Sequence, residues 1–193
     1  MDAVFRVVRR DGVEQASLRN VAEEAGLAIG SVRHYFDSHE ELLVFALREL
    51  EDRVERRVMA GAERIFAATS SAERRPLVGE LLGELLPLDA DRHDESVIWL
   101  AFVTAARTRP ALQPSARRLH EGVRMVVGKV LAGAARLGAL PSTLDLDVET
   151  ERMAALLDGL AVNAVLQPDL TTPGIMRAVL GNHLDSLAGV PVS

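Results

Sequence analysis

The chain contains no cysteine, which removes disulfides and thiolate metal sites from consideration. Lysine is almost as scarce: Lys129 is the single one among 22 basic residues. Aromatic residues make up 4% of the 193 positions, so a cage of rings around a cation is hard to build. A basic excess is missing as well. The net charge is −6, and any affinity for nucleic acid has to come from local positive potential. No apolar run reaches membrane-spanning length, and the start lacks a signal-peptide pattern. A reducing cytoplasm is the expected location, with no membrane partner. Alternation of β-branched residues is nearly absent, so no sheet is expected.

What is present is helical spacing between Pro, Gly and Ser punctuation, with enough apolar residues (48%) for a sizeable core. The expected fold class is all-α, with about nine helices. Ala3, Val4, Val7 and Val8 make a first stripe, with Phe5, that ends near Asp11-Gly12. Ser17 is placed to cap a second helix. Ser38 and Glu41 have the spacing of a capping box and open a long helix. Along it Leu43, Leu47, Leu50, Val54, Val58, Gly61 and Ile65 keep steps of three and four. Its other side, Arg48 to Arg57, reads as a solvated face with i,i+4 pairs. Residues 70–76 read as a polar break before a short helix at 77–86, and residues 89–94 as a loop before a central helix at 97–106. Pro110 and Pro114 bracket a joint, a helix covers 115–137, and Asp147 is expected to cap the next one, to 166. Thr172-Pro173 starts the last, to about 187.

The stretch from Leu18 to Leu43 carries the strongest signal. Leu18, Val21, Ala22 and Ala25 form one apolar face. Gly26 follows where a helix end tolerates positive φ. Val32 and Phe36 are spaced to pack back, leaving Ile29, Gly30, Ser31, Arg33, His34 and Tyr35 as a small polar surface. Two helices joined by a tight turn, the second presenting such residues, are what a helix-turn-helix needs to enter a DNA major groove.

On Gly12, Leu18, Val21, Ala22, Ala25, Gly26, Leu27, Gly30, Ser31, Val32, Tyr35, Phe36, Ser38, Glu41 and Leu42 the chain resembles the TetR/AcrR family of one-component bacterial transcriptional regulators. Trp99-Leu100-Ala101-Phe102, Arg109-Pro110 and Asp158-Gly159-Leu160 resemble the C-terminal domain of the branch containing choline-responsive betaine-pathway repressors. The resemblance implies a DNA-binding domain at 1–47 and an effector-binding and dimerisation domain at 48–193. It further implies a homodimer on a palindromic double-stranded DNA operator, released by a small effector. Ile29, Gly30, Ser31, Arg33, His34 and Tyr35 would face DNA, with Ser17 and Arg19 as phosphate contacts. Arg33 can read a guanine edge or hold a phosphate. Gly30 either admits the DNA backbone or serves a turn, and Tyr35 either reaches phosphate or packs inside the head.

The chain departs from the family pattern in three places. Arg33 stands where an aromatic is usual, and His39 where a phosphate-binding Lys is usual; His39 takes that Lys's place in the DNA-contact set, with a smaller contribution while it is neutral. The first helix starts at once, so either an upstream start is in use or part of a basic arm is absent. Residues 1–47 hold five arginines against eight carboxylates, net −3, which implies few phosphate contacts.

For the body, the ligand-lining candidates are Met59, Phe66, Trp99, Phe102, Met125, Met153 and Asn163, each with core packing as its competing role. Met153, Leu157, Leu160 and Ala164 form one stripe, and Met176, Val179, Leu180, His183 and Leu187 another. These stripes serve either a dimer interface or the intrachain core. His93 and His120 are isolated, so no metal is expected, and no cofactor. Nucleophile, phosphate-loop and metal signatures are absent from the sequence, so an enzyme is not expected. The alternative to a repressor is a helical dimeric sensor or protein-binding module with impaired DNA binding.

Overall fold

The computed structural model describes residues 2–189, and every regular element among them is helical. In chain order these are α1 Asp2–Asp11, α2 Leu18–Glu24, α3 Ile29–Arg33, α4 His39–Ala67, α5 Ser71–Gly83, α6 Ala90–Ala106, α7 Gln113–Arg136, α8 Leu146–Leu166 and α9 Pro173–Leu187. Short 3-10 turns at Val13–Gln15 and Pro110–Leu112 join α1 to α2 and α6 to α7. No described helix is long and apolar enough to cross a membrane.

Side-chain caps set most boundaries. The Asn20 amide donates to Ser17 Oγ at 3.2 Å and starts α2. At its end Gly26 has φ +67, with its own amide on Glu23 O (3.0 Å) and that of Leu27 on Ala22 O (2.9 Å). That pair of bonds needs a left-handed residue, which glycine supplies without strain. Three starts differ from the expectation because a cap outweighs a local signal. Helix α5 begins at Ser71 rather than 77. Ser70 Oγ accepts from the Glu73 amide (3.2 Å) while Glu73 Oε2 accepts from the Thr69 amide (2.8 Å). This reciprocal cap carries Pro76 inside the helix at the cost of one hydrogen bond. Helix α6 begins at Ala90, where Asp89 Oδ1 accepts from the Arg92 amide at 2.9 Å. Helix α8 is capped by Asp145 rather than Asp147, through the amides of Asp147 and Val148.

The chain forms two compact units, Met1–Arg53 with Asp94–Leu119, and Val54–His93 with His120–Ser193. This differs from a division at 47/48. In the first unit Ile98, Phe102, Ala106 and Leu112 share one buried cluster with Val4, Val7 and Val8 of α1 and Leu42, Leu43 and Leu47 of α4. In the second unit Leu81 and Leu82 of α5, Val127 and Leu131 of α7, the Met153–Leu157–Leu160–Ala164 stripe of α8, and Met176, Leu180 and Leu187 of α9 form the other cluster. The charged side of α4 is also used differently. Arg53 pairs with Asp2 (2.8 Å), Glu51 with Arg118 (3.3 Å) and Arg57 with Glu84 (3.2 Å), so it bonds across elements more than along itself.

In the first unit, Glu24 closes α2 against α1. Its Oε1 takes Arg6 Nε at 2.6 Å and its Oε2 takes Arg10 Nη1 at 2.8 Å, while Arg6 also reaches the Glu24 carbonyl at 3.2 Å. Arg6 first, then Arg10, hold the carboxyl below its ordinary 4.5. A carboxyl with a lowered pKa stabilises the fold above its ordinary value and loses that contribution as pH falls through the lowered one. Glu24→Gln is therefore expected to lower the unfolding midpoint at pH 7. The difference from wild type should close below pH 4.5 in a thermal melt series.

Candidate nucleic-acid interface

From residue 25 to residue 35 every side chain is exposed except that of Val32. Helix α3 packs on α2 and turns Ile29, Gly30, Ser31, Arg33, His34 and Tyr35 outward. Tyr35 is 75% exposed, which removes packing inside the head as its role. It meets His34 edge-on at 5.3 Å between ring centres. Phe36, in contrast, packs on the first unit's buried cluster and against Phe45, at 5.2 Å. A methyl group added at Gly30 would meet nothing within 4 Å. The space over this residue therefore lies outside the protein, not against a neighbouring helix.

Positive charge here is sparse and unevenly available. Arg6 and Arg10 are held by Glu24, and Arg9 is paired with Asp94. Among the described residues, Arg19 and Arg33 are the arginines of the head with no ion-pair partner, and both are exposed. Chemically, Arg33 offers the fork of donors that fits a guanine edge or a phosphate. Ser17 spends its hydroxyl as an acceptor on the α2 cap, and the hydroxyl hydrogen stays free to donate. His39 is half-buried with Nε2 enclosed and unpartnered. That nitrogen cannot reach a phosphate, which weakens the place given to His39 in the contact set. Beside the recognition segment lies a groove of about 650 Å³ lined by Tyr35, Phe36, Phe45, Glu40, Glu41 and Arg48, among others; its acids mark where the surface stops favouring phosphate.

The body candidates are not gathered into one place. Phe102 is fully buried in the first unit's core and Trp99 is packed on the same cluster. Met153 lies in the second unit's core. Met59, Phe66 and Met125 are exposed, Phe66 by 84%. Asn163 is exposed too, because 163 falls on the outward side of α8. The two stripes proposed for a dimer interface are corrected. Met153, Leu157, Leu160, Ala164, Met176, Leu180 and Leu187 are buried within a single chain, and Val179 and His183 are half-buried beside them. Periodicity reported an apolar face, and intrachain packing had already covered it. Two residues were missed. Glu24, the second of two adjacent acids at the end of α2, is the α1–α2 clamp. Glu149 is 5% exposed, and its signal was a carboxylate one turn ahead of Met153 on the inward stripe.

An exposed short helix set by a tight turn on a packed helical head defines a helix-turn-helix DNA-binding regulator. Residues 1–44 match the model for bacterial regulatory proteins of the tetR family, and residues 74–189 that for the C-terminal domain of BetI-type transcriptional repressors. The chain belongs to the TetR family of transcriptional regulators, with a BetI-type C-terminal domain. It is 32% identical over 186 residues to the HTH-type transcriptional regulator PksA of Bacillus subtilis, spanning 96% of this chain and 86% of that protein. It is 28% identical over 171 residues to BetI of Rhizobium meliloti, spanning 86% and 76%. The crystal structure of a transcriptional regulator from Rhodococcus sp. Rha1 superposes with a TM-score of 0.79 at 29% identity, over 100% of this chain and 96% of that one.

Because no neighbour opposes a side chain at Gly30, Gly30→Ala is expected to keep the fold and raise stability by about 0.5–1 kcal/mol in chemical denaturation. Loss of stability would show that the residue serves a turn.

Proposed function

We propose that the protein is a cytoplasmic homodimeric repressor. It grips a palindromic operator through Ile29, Gly30, Ser31, Arg33, His34 and Tyr35, with Arg19 and Ser17 on phosphate, and lets go when a small effector enters the body. In this reading the DNA-binding part is 1–47 and the effector and dimer part 48–193. The observation that carries it is the unbroken exposed run around the one buried residue, Val32. Neighbours in fold include a putative regulator from Saccharomonospora viridis in complex with choline, at 20% identity and TM-score 0.79. A small effector for this chain fits that company, and its chemistry is left to the residues of the body. Helix α4 runs unbroken from residue 39 to residue 67.

The mate is placed on the outward sides of α8 and α9. Ala155, Gly159, Asn163 and Leu166 line one, and Gly174, Ile175, Ala178 and Asn182 the other; all are exposed. Small residues allow close approach, and Leu166 and Ile175 supply exposed apolar area. A two-fold pair sets recognition helices about 34–36 Å apart, one turn of DNA. No neighbour lies within 4 Å of a side chain added at Gly159. Gly159→Arg is expected to preserve helicity and convert the dimer to a monomer in light scattering. A persisting dimer would move the interface elsewhere.

A second reading, a dimeric sensor with weak DNA binding, is favoured by the commitment of Arg6, Arg9 and Arg10 to carboxylates. Mobility shift with DNA flanking the protein's own gene at low salt separates the two: a folded dimer that shifts no fragment would favour the sensor. With Arg33 reading a base, Arg33→Ala should cost about 1–3 kcal/mol and relax preference at one position per half-site. Equal weakening on all sequences would make Arg33 a phosphate anchor. With two free arginines per head, log K should fall with log salt by a slope of about 4 at most.

A further inference from the structure

The inward stripe of α8 opens with a charge. Glu149 sits one turn before Met153, and among the described residues it is the one carboxylate in the fully buried class. Arg152, mostly exposed, donates to its Oε1. Its Oε2 is enclosed and has no partner. A second unpartnered buried atom comes from α9, whose core residues share the cluster of α8: the Nε2 of His183. Both lie in the second unit, and the Glu149 charge acts on the imidazole of His183. Burial holds the imidazole below its ordinary 6.5, Arg152 pushes the same way, and Glu149 opposes them.

A buried carboxylate oxygen accepts and never donates, and the Nε2 of a neutral imidazole does the same in the tautomer that carries its proton on Nδ1, the one that a donor arriving at Nε2 selects. Such a pair is satisfied by a group carrying N–H hydrogens and, because one acceptor is charged, a positive charge. A quaternary ammonium has charge without hydrogens, and an alcohol has a hydrogen without charge. We propose that Glu149 and His183 form the polar anchor of a binding site in the body for a protonated primary or secondary amine. This rests on reading the body as the effector domain and names the chemistry of what it takes. Met153 and Met176, in the same cluster, are adaptable side chains suited to receive the hydrocarbon part. Arg152 can turn into solvent as the amine takes its place.

The test uses the full chain without DNA, with hexylamine and phenethylamine, each beside its matching alcohol and trimethylammonium compound. Thermal shift and titration calorimetry at neutral pH should show the amines stabilising the protein more than either counterpart. Glu149→Gln should weaken amine binding by at least about tenfold, the scale of one charge-assisted hydrogen bond. The melting temperature of this variant without ligand should be no lower than that of wild type. His183→Gln should weaken amine binding severalfold and serves as the test should Glu149→Gln not fold. Equal response to amine, alcohol and quaternary compound, or an amine preference that survives both substitutions, overturns the proposal. So does a ligand-free Glu149→Gln that melts well below wild type while amine binding is unchanged, since the carboxylate is then a structural anchor. Operator binding enters none of these arms, so their failure leaves the repressor reading standing.

Discussion

A helix of five residues cannot hold itself together in water, so the geometry of α3 depends on the seat of Val32. It is the single buried side chain between residues 25 and 35, and α3 packs on α2. Helix α2 is itself only seven residues long. It is fixed by Val21 in the core, by the Ser17 cap, by the left-handed Gly26 and by the Glu24 clamp on α1. Each support is modest, of order 1 kcal/mol for a cap. Their agreement gives one orientation rather than an ensemble. Beneath them the continuous leucine face of α4 supplies the apolar area that α2 and α3 lack.

The same clamp decides how positive charge is spent. Arg6 and Arg10 could have faced phosphate; bound to Glu24, they orient the helix that orients α3. The head gives up long-range attraction and gains a fixed direction for Arg33. Phosphate contacts supply sequence-independent affinity and base edges supply discrimination. In the proposed reading, a head with few free cations therefore leans on base contacts. The net −3 of residues 1–47 and the exposed, unpaired Arg33 express one arrangement.

Much of this was legible in the sequence where local chemistry decides alone. Ser17, Gly26 and Thr172-Pro173 act through their own backbones and lie where their residue types imply. Pro76 and Asp147 misled, because a break or a cap is a contest. Ser70–Glu73 and Asp145 win by bonds that spacing cannot rank. The apolar stripes of α8 and α9 were visible, but periodicity identifies a face and not the surface that covers it. Trp99 and Phe102 were read with the body because they follow a helix assigned to it. The partition instead follows packing, in which residues 94–119 join the unit of α1 and the first part of α4. The Glu24 clamp was not legible at all, since nothing in a run of exposed acids says which one faces two arginines from another helix.

Helix α8 shows what a single misplaced charge implies. In its first turn the partial positive charge of the helix end favours an acid, so a carboxylate at 149 is less costly than one mid-helix. That accounts for tolerance and not for use. Glutamine would keep the shape and one acceptor without the desolvation of a charge, and methionine would fill the stripe. The ion pair with Arg152 does not account for it either. Arg152 is 62% exposed in its side chain, and an exposed partner returns little. The charge matters most to a cation that arrives in the same enclosed place, where low polarity strengthens the attraction that water would screen.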